Sequence, residues 1–135
     1  MEPSPARLSL RTFAVTYPGT PDQIRQVRVD LRGVLGDCPI AADVTLCASE
    51  LAANAVRHSR SRYPGGTFTV RAEISPGAYV RIEVEDDGGP WIEPSAGQDR
   101  GRGLDIIRAL AGDWATYAST GHRIVSVRLT WPDGA

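Results

Sequence analysis

Between Ser49 and Ser59 the chain reads SELAANAVRHS, and no other stretch constrains the fold as much. Glu50, Asn54 and His58 recur at four-residue intervals within an otherwise Ala/Leu/Val segment. An α-helix turns about 100° per residue, so a four-residue step moves a side chain only about 40° around the axis. The spacing predicts a helix over about Ile40 to His58, with a carboxylate, an amide and an imidazole in file along one edge. Its core stripe is Val44, Ala48, Leu51 and Ala55, so the polar file runs beside the buried face rather than opposite it. A helix that only covers a core has no use for such a file. A site does.

The flanking sequence supplies the rest of a sheet-and-helix domain. Residues 7–17 read as a strand in which Leu8 and Leu10 share one parity while Phe13, Val15 and Tyr17 take the other. That shift predicts a bulge near Arg11–Thr12. Thr20-Pro21-Asp22-Gln23 carries the marks of a helix start, with Thr as N-cap, Pro at the first position and Gln three residues after the cap. Ile24, Val27, Leu31 and Val34/Leu35 continue at helical spacing to Gly36, with Arg25, Arg28 and Arg32 facing outward. Ser59–Gly66 reads as a loop. Phe68, Val70, Ala72 and Ile74 alternate, then Val80, Ile82 and Val84 alternate after Pro76-Gly77, which predicts a hairpin. Arg71, Glu73, Arg81, Glu83 and Glu85 take the opposite, wet face.

Residues 85–103 form a long polar run, and such loops inside a compact domain are usually functional. Leu104, Ile107, Leu110 and Ala111 resume helical spacing, Trp114–Ala118 reads as a short strand, and Val125, Val127, Leu129 and Trp131 alternate after a Gly121 turn. The order is β-α-α-β-β-loop-α-β-β. Strands adjacent to strands imply a mixed, mostly antiparallel sheet with helices on one face, a two-layer α/β (α+β) sandwich. One domain spans 7–132, between a flexible 1–6 lead-in and a 133–135 tail.

Composition removes several chemistries. All fifteen basic residues are arginine and none is lysine. A P-loop, a eukaryotic-type protein kinase site and Schiff-base chemistry each need a lysine. Any nucleotide held here must have its phosphate charge met by metal, backbone N–H groups and arginine. The net charge of −1 supplies no global field toward nucleic acid or anionic lipid. No apolar run reaches the roughly 18–20 residues of a spanning helix, and the N-terminus does not read as a signal peptide. The cytoplasm is the expected compartment. Cys38 and Cys47 complete no zinc spacing, and Cys47 reads as a small core residue.

Three places carry candidate chemistry. Glu50 and Asn54 suit a hard cation and a proton transfer: an amide oxygen can join a magnesium octahedron, and a carboxylate one turn away can act as base. Local hydrogen bonding on a solvated edge is the plain alternative. Asp86 follows an alternating strand and precedes glycines, where it can accept from an exocyclic amine while Gly88 lets the backbone approach a flat ring. An ordinary turn has the same wording. Gly101-Arg102-Gly103 opens a helix whose first N–H groups attract anions, with Arg100 and Arg102 adding charge. The alternative there is a flexible helix entry. His58 suits a helix C-terminus for electrostatic reasons alone.

Taken in order, an ExxxN helix, DxG after a strand and GxG at a helix start resemble the motif set of the GHKL ATPase superfamily, over roughly Leu8 to Trp131. The wording Glu50-LAA-Asn54-AVR-His58, the length and the short span between Gly88 and Gly101 look most like the small bacterial anti-sigma-factor serine/threonine kinases.

The resemblance implies a Bergerat-type fold binding ATP and Mg²⁺. By it, Asn54 would ligate the metal, Asp86 would receive the adenine amino group and Gly88 would admit the ring. Gly101, Arg102, Gly103 and Leu104 would line the phosphates. Arg100 and Arg102 both compete for the γ-phosphate. Glu50 would be the base that activates a partner's Ser or Thr hydroxyl. Relatives bind a sigma factor or phosphorylate its antagonist, which implies protein partners, no direct nucleic acid and no membrane. The first strand and helix could supply a homodimer interface. A second reading is an ATP-gated binding module without phosphotransfer. The chain departs from the pattern at Arg123, where relatives commonly carry a Thr.

Overall fold

The structure is a computed structural model that describes residues 10–88, 113–119 and 121–132. Five strands make one sheet: β1 (Arg11–Pro18), β2 (Thr67–Ser75), β3 (Tyr79–Asp86), β4 (Asp113–Ser119) and β5 (His122–Thr130). Their order across the sheet is β1-β2-β3-β5-β4, and every pairing is antiparallel. Two helices, α1 (Gln23–Leu35) and α2 (Ala41–His58), pack on one face. The fold is therefore the expected two-layer α+β arrangement with an antiparallel sheet. The helix expected after Gly103 lies outside the described residues.

The periodicities become the core directly. Phe68, Val70, Ala72 and Ile74 of β2 and Val80, Ile82 and Val84 of β3 are all buried, one face of an alternating pair. Against them α2 buries Val44, Cys47, Ala48, Leu51, Ala52, Ala55 and Val56, while α1 adds Val27, Leu31 and Leu35. Five of the residues from Ala48 to Ala55 are Ala or Leu, strong helix formers that need little room. That composition lets α2 lie close on β3. Truncating Leu51, 3% exposed, would cost about 2–5 kcal/mol by the usual range for core leucines.

Cys38 and Cys47 are buried free thiols. Burial, then the charges of Asp43 and Glu50, push the Cys47 thiol up to about 11, so it is a core residue rather than a nucleophile. No helix among the described residues is long and apolar enough to cross a membrane.

Two local expectations are corrected. β1 pairs with β2 residue for residue from Arg11↔Ile74 to Pro18↔Thr67, with no bulge at Arg11–Thr12. Leu10 lies outside the strand and is 51% exposed, so its parity was never a constraint. The first helix begins at Gln23, two residues beyond the Pro21 expected to open it. The Gln23 N–H donates to the Thr20 carbonyl and the Ile24 N–H to the Pro21 carbonyl, so these residues form a tight turn before the helix. Gly36 ends α1 as expected, at φ +56° with its N–H on the Arg32 carbonyl.

Candidate functional site

The edge of α2 has the composition of a site because its polar residues are held differently. Thr45 and Ser49 are buried, and each hydroxyl donates to the carbonyl four residues earlier, at 2.7 and 2.8 Å. They are satisfied inside the helix. Glu50, Asn54 and His58 are all half-buried along the same edge. Among the described residues, neither the Glu50 carboxylate nor the Asn54 amide makes a side-chain hydrogen bond or ion pair. Local hydrogen bonding therefore does not account for them there.

The end of α2 is stitched to the exit of β3. Ser59 Oγ donates to the Ala55 carbonyl at 2.7 Å and accepts the Ser61 N–H at 3.0 Å. This turns the chain into a short 3-10 segment, Arg60–Arg62. From that segment the Arg60 N–H donates to the Gly88 carbonyl at 2.9 Å, and Ser61 Oγ accepts the Asp87 N–H at 2.9 Å. The Asp87 carboxylate in turn accepts the Thr67 N–H at 3.1 Å. The helix carrying Glu50 and Asn54 is thus fixed to the strand exit carrying Asp86 and Gly88.

Sequence reasoning read Ser59–Gly66 as a plain loop and missed this clasp. The available signal was the pair of serines directly after a helix, whose hydroxyls can bond nearby backbone. Two glycines make room for it: a Cβ at Gly19 or Gly66 would lie 1.8 or 2.3 Å from the Ser61 carbonyl oxygen.

Asp86 is buried at 4% exposure, and both its oxygens are engaged. Oδ1 accepts the Gly88 N–H at 2.7 Å, and Oδ2 accepts from Arg123 at 2.9 Å. Asp86 and Arg123 are direct cross-strand partners of β3 and β5. Arg123 was legible as a departure from the family pattern, but its pairing was not foreseen. The signal lay in parity: Arg123 shares a face with Val127 and Leu129, both buried, so a charge there required a partner on that same face.

Gly88, at φ +68°, packs against another backbone; a Cβ there would lie 3.1 Å from Gly121 C and His122 N. Burial, followed by the charges of Arg57, Arg62 and Arg123, lowers the His58 pKa below the ordinary histidine value. On the other face of the sheet, His122 Nδ1 lies 3.1 Å from Glu85, which also holds Arg71 at 2.6 Å. Arg100, Gly101, Arg102, Gly103 and Leu104 lie outside the described residues.

These groups fit a nucleotide and its metal in chemical type. An amide oxygen such as that of Asn54 is a hard donor, and magnesium is commonly held by few protein oxygens together with water and phosphate. Among the described residues no cluster of three or more His, Cys, Asp or Glu side chains could hold a metal ion. A cation held at Asn54 would take oxygens from a ligand or water as well. A carboxylate offers about four lone-pair positions, so Asp86 retains acceptor capacity beyond its two bonds.

Comparison with known proteins fits this arrangement. The family described as histidine kinase-like ATPase domain matches residues 17–131. No curated protein matches the chain. Among solved structures, the chain is similar to the RsbU and RsbW domains of Rv1364c from Mycobacterium tuberculosis, with 22% identity and a TM-score of 0.65. That match covers 91% of this chain and 33% of the other. The histidine kinase domain of the blue-light activated kinase from Erythrobacter litoralis EL346 matches at 19% identity and TM-score 0.56, covering 84% of this chain and 61% of that one. The chain thus spans a third of the first structure's length and about three-fifths of the second's, and the likeness is one of fold.

Proposed function

Because the chain belongs to the histidine kinase-like ATPase domain family of the GHKL superfamily, we propose that it is an ATP-binding regulatory protein with serine/threonine kinase activity toward a protein partner. In this reading it is an anti-sigma factor that binds a sigma factor and phosphorylates the antagonist. The observation that carries the reading is the unengaged pair Glu50 and Asn54 on a helix clasped to the Asp86–Gly88 strand exit. The regulatory assignment draws support from the Glu50-to-His58 wording, which resembles the anti-sigma-factor kinases.

Asn54 would hold Mg²⁺ through its amide oxygen, and Asp86 would accept from the adenine amino group. Bound magnesium–ATP would supply the γ-phosphoryl group, with ADP as the leaving group. Glu50 would take the proton from a partner's Ser or Thr hydroxyl as that oxygen becomes the nucleophile. A half-buried carboxylate suits this task because it is shielded yet reachable. Gly101 to Leu104, with Arg100 or Arg102, would face the phosphates.

The test is transfer from γ-labelled ATP with Mg²⁺ to candidate antagonist proteins, comparing the native chain with Glu50→Ala. The expected result is label on a partner Ser or Thr that disappears in the variant while nucleotide binding persists. Transfer that survives the substitution removes Glu50 as base. ATP-dependent partner binding without any label assigns the chain as a gated binding module instead.

A further inference from the structure

We propose that the groove between α1 and α2 docks an acidic segment of a partner protein and presents a Ser or Thr within it to Glu50. The presentation step rests on the reading of Glu50 as base; the docking does not. The groove has a volume of about 590 Å³, with Arg28 and Arg32 on its α1 wall and Ala42, Leu46, Ser49 and Glu50 on its α2 wall.

Arg25, Arg28 and Arg32 recur at intervals of three and four residues, which keeps them within a stripe of about 60° on α1. Among the described residues none of the three has an ion-pair partner. Like charges at these spacings repel one another along a helix, so the stripe is an unbalanced feature that an anionic ligand would balance.

The α2 wall completes the match. Leu46 is 39% exposed, an apolar contact beside the cations. The Ser49 hydroxyl is already committed to the Thr45 carbonyl. Glu50, one turn beyond Leu46, is the one carboxylate among the described residues lining the groove. A peptide whose carboxylates sit on Arg28 and Arg32 is repelled at its acidic positions by Glu50. A neutral hydroxyl is what such a segment can place there. Charge thus selects both the segment and its register.

The test uses the full chain and two fluorescent peptides of equal length, each with a central Ser, one flanked by Asp and Glu and the other by Lys. Anisotropy should show the acidic peptide bound about tenfold more tightly, with affinity falling as salt rises. Arg28→Glu/Arg32→Glu should abolish that preference while leaving the binding of labelled ATP unchanged. Arg28→Gln/Arg32→Gln should weaken it partially, and it replaces the charge reversal if that variant fails to fold.

Equal affinity for the two peptides, or unchanged binding in a folded double variant, overturns the proposal. So does a self-association that the charge reversal abolishes, which would assign the groove to a second copy of this chain. Competition by a single-stranded oligonucleotide at the same arginines would assign it to nucleic acid and would equally overturn it. Because peptide binding is read without phosphotransfer, a chain that binds the acidic peptide but transfers nothing loses the kinase reading and keeps the docking site.

Discussion

Asp86 and Arg123 face each other across β3 and β5 with 2.9 Å between carboxylate and guanidinium, and both side chains are buried. Breaking a buried pair from one side leaves an uncompensated charge, at a cost of about 3–5 kcal/mol. Asp86→Asn should therefore lower the urea midpoint strongly as well as weaken ATP binding. A double-mutant cycle with Arg123→Met should return a coupling of about 1–3 kcal/mol. Additive effects would show that the two residues act independently. Affinity must be read on protein shown to be folded, since loss of structure and loss of a base contact look alike otherwise.

Gly88→Ala should destabilise more than Gly77→Ala. Both glycines have positive φ, at +68° and +81°, a region that costs an L-residue about 1–2 kcal/mol. A Cβ at Gly77 meets nothing within 4 Å, whereas one at Gly88 presses on the Gly121–His122 backbone. The difference between the two melting temperatures isolates that steric contribution. Equal losses would mean that the β4–β5 turn gives way freely.

Ser61→Ala tests the clasp between α2 and β3. Ser61 is fully buried, and its hydroxyl accepts the Asp87 N–H. An orphaned buried donor costs about 1–3 kcal/mol. Hydrogen exchange should accelerate at the Asp87 amide and, through loss of the neighbouring bond to Gly88, at the Arg60 amide. Ser61→Cys should retain part of the protection. Unchanged exchange in the alanine variant would mean that the clasp is dispensable.

His58 makes stability depend on pH in a definite direction. Its pKa is lowered in the folded chain by burial and by Arg57, Arg62 and Arg123, so folding favours the neutral imidazole over the charged one. The unfolded chain binds its proton first, near the ordinary value of about 6.5. The contribution is fully present above that value and is lost as pH falls through the window down to the lower native pKa. His58→Gln should flatten the fall in melting temperature between about pH 7.5 and about pH 5.5. An unchanged slope would place the acid sensitivity elsewhere.

The local expectations that failed did so for a shared reason. Thr20, Pro21 and Gln23 have helix-start chemistry, yet the chain leaving β1 closes a tight turn there, and the helix begins at Gln23. The parity shift at Leu10 suggested a bulge only if Leu10 belonged to the strand. Pairing with Ile74 begins at Arg11. In both cases sequence-local preference yielded to where the neighbouring element lay.

By itself the sequence determined which residues share a face: the α2 stripe from Val44 to Ala55, the alternation of β2 and β3, and the file of Glu50, Asn54 and His58. Those relations span two to four residues and follow from helix and strand geometry. Tertiary structure alone decided that Asp86 meets Arg123, that Gly88 meets the β4–β5 turn, and that Arg28 and Arg32 of α1 line one groove with Glu50. These partners lie far apart in the chain, and strand order, register and helix packing bring them together. The alternation placed Arg123 on the core face; only β5 lying beside β3 supplied the carboxylate that makes a buried arginine tolerable there.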